Sequence, residues 1–200
     1  VMGESAIRAL EKSIQALVEL DGTTAEQIMA ADEVIDQMEI DIENKCVTMI
    51  ARQQPLARDL RVITTGLKIT TDLERIGDYA FDISRIVTHM DHAKGHIKPL
   101  VDIPRMSAMA CKMVREALTA YQSGDLMLAQ KVCQADDEVD SLYGQIFREL
   151  LTYMIEKPAL ISDATQLIFV ARFLERAADH ATNIAEWVVY LQTGQRIRAN

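Results

Sequence analysis

Three short segments of the chain occur twice, in the same order and at nearly the same separation. ADEVID from Ala31 returns as ADDEVD from Ala135, an offset of 104 residues. RQQP ending at Pro55 returns as IEKP ending at Pro158, an offset of 103. LERIGD from Leu73 returns as LERAAD from Leu174, an offset of 101. The offset shrinks near the turns, where deletions are tolerated. Ordered matches at a near-constant period mark an internal duplication. Whatever one half folds into, the other half folds into as well.

Each half reads as three helices. Ile7, Leu10, Ile14 and Leu17 alternate spacings of three and four, an apolar stripe at helical period. That helix is expected to stop near Asp21-Gly22, with Thr23 and Glu26 forming a capping box for the next. The second helix carries Ile28, Ile35, Ile42 and Met49 every seven residues, and Pro55 ends it. A third follows with Val62, Ile69, Ile76 and Ile83. In the second half, Met106, Met113 and Leu118 mark the first helix, Ser123-Gly124 a break, and Pro158 the end of the second. Its third helix carries Val170, Ala177, Ile184 and Leu191. With only 8 Gly, 4 Pro and 5% aromatics, the chain has the composition of long helices rather than sheets. The reading is all-α: two tandem pseudo-symmetric three-helix bundles, end to end or side by side, with helices about thirty residues long. The units span 1–94 and 105–200, joined by a linker at 95–104 within the Asp91 to Pro104 stretch.

The third helices carry acids at i, i+4 spacing: Glu74, Asp78 and Asp82 in the first unit, Glu175 and Asp179 in the second, followed by Asn183. Residues four apart share a helix face, and like charges there repel by about 0.2–0.5 kcal/mol per pair. On the helical wheel these acids lie opposite the apolar stripes, so they are expected to face outward. The second helices carry Asp32 with Asp36, and Asp136 with Asp140. In an antiparallel hairpin, residues equally far from the turn sit side by side. Asp36 is 19 residues before Pro55 and Glu74 is 19 after it; Asp32 and Asp78 are each 23 away. Asp140 is 18 before Pro158 and Glu175 is 17 after; Asp136 and Asp179 are 22 and 21 away. Four carboxylates per unit are therefore expected to converge on the groove between the two helices.

Such a cluster offers only hard oxygen donors, suited to ferric iron, Mg²⁺, Mn²⁺ or Ca²⁺. The competing reading is a solvated acidic face on an acidic protein. Arg75 lies about 100° round the helix from Glu74, poorly placed to neutralise the cluster, although its long side chain can bend back. His89, His92 and His96 stand at i, i+3, i+7, a spacing that suits Zn²⁺ only if the helix continues through Gly95. A solvated helix end is the better reading. Arg52, Arg58 and Arg61 flank the Pro55 turn and make a basic tip, suited to an acidic partner or anionic lipid or simply solvated. Cys46 continues an apolar helix side and reads as core.

A formal net charge of −9 disfavours a nucleic-acid partner. Three widely spaced cysteines without CxxC suit reduced thiols in the cytoplasm. No apolar run reaches membrane-spanning length. The chain opens on Val1 rather than Met, so a preceding N-terminal piece is expected. A Gly-rich phosphate loop, HExxH, GxSxG and Glu-x-x-His are all missing, so no enzyme, no organic cofactor and no phosphate cradle is expected.

At LERIGDYAFDI and LERAADHATNI, and across ADEVID, ARQQPLARDLR and ADDEVD, the chain resembles the PhoU family of phosphate-signalling regulators. The resemblance implies two three-helix bundles and a cytoplasmic protein at the inner face of the membrane; the oligomeric state is left open, with a homodimer as one option. It implies a negative regulator of the phosphate-starvation response, with a PhoR-type sensor histidine kinase and the ATPase of a Pst-type phosphate ABC transporter as partners. It also implies multinuclear metal, iron or zinc foremost, on Asp32, Asp36, Glu74, Asp78 and Asp82 and on Asp136, Asp140, Glu175 and Asp179. Asn183 breaks the acidic triplet, so the second site is expected to be the weaker. The alternatives are an accessory protein of another phosphate transporter, such as a sodium-coupled one, and a carboxylate-bridged metal-storage protein.

Overall fold

A computed structural model describes residues 1–91 and 95–196. The order is α1 (Met2–Glu19), α2 (Gly22–Gln53), α3 (Arg58–His89), α4 (Asp102–Ser123), α5 (Leu126–Glu156) and α6 (Ile161–Thr193), with a short 3-10 turn at Pro158–Leu160 before α6. Ile7, Leu10, Ile14 and Leu17 are all buried, as the stripe on α1 requires. Burying each such side chain is worth about 1.5–3 kcal/mol.

The α1–α2 junction is built differently from the expected capping box. Leu20 takes the left-handed conformation and Asp21 caps α2, its Oδ1 accepting from the Thr23 and Thr24 amides at 3.0 and 3.1 Å. Asp caps at least as well as Thr, and a cap two residues earlier leaves Thr23 inside the first turn. The duplication keeps the device: Gly124 is left-handed at φ 70° and Asp125 caps α5, accepting from Met127 and Leu128 at 2.9 and 3.0 Å.

The first helix of each unit is shorter than expected, 18 residues in α1 and 22 in α4, against 31 to 33 in the others. The heptads therefore run past their cover. Ile28 and Ile35 are buried, Ile42 is half-buried and Met49 is exposed; on α3, Ile69, Ile76 and Ile83 are buried while Val62 is exposed. Helix α4 starts at Asp102, with Pro104 in its first turn, where the missing amide hydrogen costs nothing.

The two units lie side by side. Helix α2 packs on α1 and α3, α5 packs on α4 and α6, and the units join through α3 on α6 and α1 on α4. One continuous apolar core runs through both. Helices α3 and α6 cross antiparallel: Asp72 meets His180 and Asn183, Tyr79 meets Phe173, and Arg61 meets Tyr190. By the offset of 101, Asp72 corresponds to Phe173 and Tyr79 to His180. Each residue meets the counterpart of its partner, the pattern a two-fold relation produces. The two pairs centre on the level of Ile76 and its counterpart Ala177.

Candidate metal centres

Each hairpin, α2–α3 and α5–α6, holds its acids in the groove between its two helices. In the first unit, one carboxylate oxygen each from Asp32, Asp36 and Asp78 lie within 4.8 Å of one another. Gly77 makes room for this approach: a Cβ there would stand 3.1 Å from Ile35 Cδ1 and 3.5 Å from Asp32 Oδ1. Arg75 bends back over the cluster, with Nη1 donating to Asp78 Oδ2 at 2.8 Å and Nε 3.5 Å from Glu74 Oε2. This corrects the wheel-based expectation that it is poorly placed. Asp82, at the inner end of the row, is drawn to Arg85 at 2.8 Å.

Of the third-helix acids, Asp179 faces outward as expected, and the other four do not. Glu175 is buried, Asp32, Glu74, Asp78, Asp82 and Asp136 are half-buried, and Asp36, Asp140 and Asp179 are exposed. The wheel argument assumes one buried face, whereas α3 packs against α1, α2 and α6 together, and α6 against α4, α5 and α3. Burial has an electrostatic cost here. The Asp32 carboxyl is pushed up to about 6, first by burial and then by Asp36, Asp78 and Asp82. Glu74 is pushed up to about 7 by burial and Asp78, against the pull of Arg75, with Glu39 and Asp36 adding. Burial also raises Asp78.

The second unit keeps the acids and changes their counter-charges. Arg172, one turn before the motif, donates to Glu175. Arg176, the counterpart of Arg75, lies instead over the Tyr79 ring at 5.4 Å. Asn183 turns away from the cluster and donates to Asp72 Oδ1 at 3.3 Å, beside the His180 Nδ1 contact at 2.8 Å. Glu175 is pushed up to about 7 by burial, then Asp179, against Arg172, with Asp140 and Asp136 adding. Asp136 is pushed up to about 6 by burial, then Asp179, Asp140 and Asp137. Burial and Asp140 raise Asp179. Glu175 Oε2 and Asp136 Oδ1 are buried without any hydrogen-bond partner. An orphaned carboxylate oxygen in a cluster of like charge is an arrangement that a bound cation relieves. The donor set is all oxygen, so the residues fit a hard cation.

The family model for the PhoU domain matches residues 1–87 and again residues 103–188. The chain belongs to the PhoU family. It is 41% identical over 200 residues to a phosphate-specific transport system accessory protein PhoU homolog of Clostridium acetobutylicum, covering 100% of this chain and 91% of the relative. It is 40% identical to the homolog of the same name in Pseudomonas aeruginosa, covering 98% of this chain and 81% of the relative. The crystal structure of PhoU from Pseudomonas aeruginosa superposes with a TM-score of 0.92 at 40% identity, covering 97% of this chain and 93% of that one. The phosphate transport system regulatory protein PhoU from Streptococcus pneumoniae gives a TM-score of 0.87 at 27% identity, with coverages of 98% and 92%. PhoU is a family of accessory regulatory proteins rather than enzymes, and this chain is not an enzyme.

The remaining sequence candidates of this PhoU chain separate. Helix α3 ends at His89, whose Nδ1 lies 2.7 Å from the Arg85 carbonyl. His96 lies beyond the helix, its Nε2 3.2 Å from the Val18 carbonyl, so these two share no helix face. His92 lies outside the described residues. Arg52 and Arg58 are exposed at the Pro55 turn, while Arg61 is half-buried over Tyr190 at 5.8 Å. Cys46 and Cys133 are half-buried and Cys111 is buried; all three are free, and burial raises each thiol above its ordinary value, which favours the protonated form. Sequence reasoning missed Glu39 and Arg172. Glu39 is one turn beyond Asp36 on the same face, so extending the level argument by one turn finds it.

Proposed function

We propose that the chain is a negative regulator of the phosphate-starvation response. It acts as an adaptor between a Pst-type phosphate transporter and a PhoR-type sensor kinase at the inner face of the membrane, and it holds cations at its two carboxylate clusters. The observation that carries this reading is a carboxylate cluster in each repeat, three oxygens drawn together in the first and two buried oxygens unpartnered in the second, on a chain about 40% identical to proteins named phosphate-specific transport system accessory proteins. Asp32, Asp36, Glu74, Asp78 and Asp82 would hold the first cation group, and Asp136, Asp140, Glu175 and Asp179 the second. A bound cation supplies the positive charge that four or five neighbouring carboxylates lack. The donor set favours ferric iron, Mg²⁺, Mn²⁺ or Ca²⁺ on hardness, and the family resemblance adds zinc.

The chain's own residues set what such binding does. Carboxylates from two helices of one hairpin, drawn to a common charge, fix α2 against α3 and α5 against α6. The outer helices α2 and α5, packed on one side only, offer the surfaces a partner meets. Among the described residues no helix is long and apolar enough to cross a membrane.

The test uses a strain deleted for this protein and carrying a phosphate-starvation reporter. Restoring the wild type is expected to repress the reporter in abundant phosphate and to co-purify the transporter ATPase and the sensor kinase. A variant with Glu74, Asp78, Glu175 and Asp179 changed to Ala is expected to fold and to fail to repress. Unchanged reporter output on deletion of the protein would sink the regulatory reading.

A further inference from the structure

The duplicated hairpins end in turns of opposite character, and the difference is one of charge. Residues 45–68, around Pro55, carry five cations (Lys45, Arg52, Arg58, Arg61, Lys68) and one carboxylate, Asp59. Their counterparts at 148–170, around Pro158, carry two cations and three carboxylates. Apolar exposure does not separate them: Leu56 is 80% exposed on the first tip and Ile155 is 74% exposed on the second. The backbone does. On the first tip, Gln54 at φ 46°, ψ 55° and Ala57 at φ 46°, ψ −106° flank Pro55-Leu56, and neither is glycine. The second turn is a relaxed 3-10 turn with no positive φ. Positive φ at two non-glycine residues costs of order 1 kcal/mol or more each. It sets Leu56 at the apex between Arg52 and Arg58.

We propose that the α2–α3 tip docks directly onto an anionic lipid surface, with Leu56 entering the interface and Arg52 and Arg58 meeting the headgroup phosphates. Charge complementarity selects the occupant. On a chain of net charge −9, this end carries a local excess of positive charge that draws it to an anionic bilayer, so the molecule meets the membrane tip first. The acidic groove does not cancel that attraction. Even the nearer acids on α2, Asp41 and Glu43, are 14 and 12 residues from Pro55, which at 1.5 Å per residue is about 18 Å or more, beyond the ~10 Å screening length at 0.1 M salt. An exposed leucine ringed by arginines suits a phosphate layer over hydrocarbon better than a flat acidic protein face. Arg61 braces the tip by lying over Tyr190 on α6. The inference does not depend on cation binding in the grooves.

The test is co-sedimentation of the full chain with vesicles of phosphatidylcholine alone and of phosphatidylcholine containing 30% phosphatidylglycerol, chosen as probes. Binding is expected only to the anionic vesicles, and it weakens as salt rises. Arg52→Ala with Arg58→Ala is expected to weaken it about thirtyfold, roughly fivefold per cation. Leu56→Ser is expected to weaken it about tenfold. Arg148→Ala with Lys157→Ala on the other tip should leave it unchanged, as should the Ala variant of the four groove carboxylates. Circular dichroism on each variant checks the fold. Equal binding to both vesicle types, or undiminished binding in the double arginine variant, would overturn the proposal. So would arginine-dependent capture of the transporter ATPase without any vesicle affinity.

Discussion

The two repeats carry the same LER-x-x-D motif on the same helix, yet their acidic grooves are balanced differently. In the first, Arg75 of the motif itself clasps Glu74 and Asp78, and three carboxylates converge within 4.8 Å. In the second, the equivalent Arg176 leaves for Tyr79, and Arg172 reaches in from the preceding turn to Glu175. Asn183, where the first repeat has spatially equivalent row-mates in acid, is committed to Asp72. Two carboxylate oxygens are left buried and unpartnered. A repeated motif thus fixes where the acids stand, while residues outside it fix how much charge is left for a ligand.

The same asymmetry runs through the interface between the repeats. On one side of the local two-fold, Tyr79 stacks on Phe173 with ring centroids 5.8 Å apart. On the other, the corresponding pair is His180 and Asp72, bonded at 2.8 Å and joined to Tyr79 by a 3.1 Å hydrogen bond. Breaking this polar side gives the largest expected effect. Asp72→Ala leaves the His180 and Asn183 donors without their acceptor in a buried setting and is expected to cost about 3 kcal/mol, or roughly 6–12 °C in Tm. A loss under 1 kcal/mol in a urea melt would show the polar pair to be dispensable.

A pH series sharpens the groove comparison. Glu74 and Glu175, held near 7, and Asp32 and Asp136, held near 6, bind protons more tightly folded than unfolded. Their protonated forms favour the fold, so the cation-free protein loses stability as pH rises from about 4.5 through 7. After allowance for solvent screening, the loss between pH 5 and pH 8 is on the order of 2 kcal/mol, or about 4–8 °C. A cation that fills the grooves is expected to cancel it. A melting temperature that climbs steadily from pH 5 to pH 8 without cation would contradict the assigned burial of these charges.

Smaller effects separate the two sites. At pH 8, Glu175→Gln removes a buried charge with an orphaned oxygen and is expected to stabilise the cation-free protein by about 1 kcal/mol. Glu74→Gln is expected to give less, because each glutamate already faces an arginine, Arg75 or Arg172, and Glu74 is only half-buried with no orphaned oxygen. The reverse order in thermal melts would invert the comparison. The N-caps are the control. Asp21→Ala and Asp125→Ala remove the same pair of amide contacts and are each expected to cost about 1 kcal/mol.

Much of this was readable in advance, and the misses have physical causes. The stripe Ile7, Leu10, Ile14, Leu17 named the core face of α1, because a period reports which face is buried. It does not report how far a neighbouring helix extends, which is why Met49 and Val62 continue their heptads into solvent. Counting residues from Pro55 and Pro158 placed the acids opposite one another, because a helical hairpin is rigid enough for distance from the turn to set level. It did not show their burial, since a wheel projects one helix and α3 meets three. Nor did it orient Arg75, whose long side chain reaches back along the helix. The contact of Asp72 with His180 spans 108 residues, and its one sequence trace is that both positions diverge between the repeats, Asp72 against Phe173 and His180 against Tyr79.

The central proposal is that each repeat holds a cation on its carboxylates, the first more fully than the second because it sets five acids against four and already draws three of them together. Elemental mass spectrometry addresses it directly, after separate incubations with ferric iron, zinc, manganese and magnesium. The untagged wild type is compared with Glu74→Ala, Asp78→Ala and with Glu175→Ala, Asp179→Ala. The expected result is stoichiometric metal on the wild type and a partial loss in each double variant, larger for the first, with the helical signal intact. A wild type that stays empty in all four metals would contradict it, and the grooves would then stand as acidic docking faces alone.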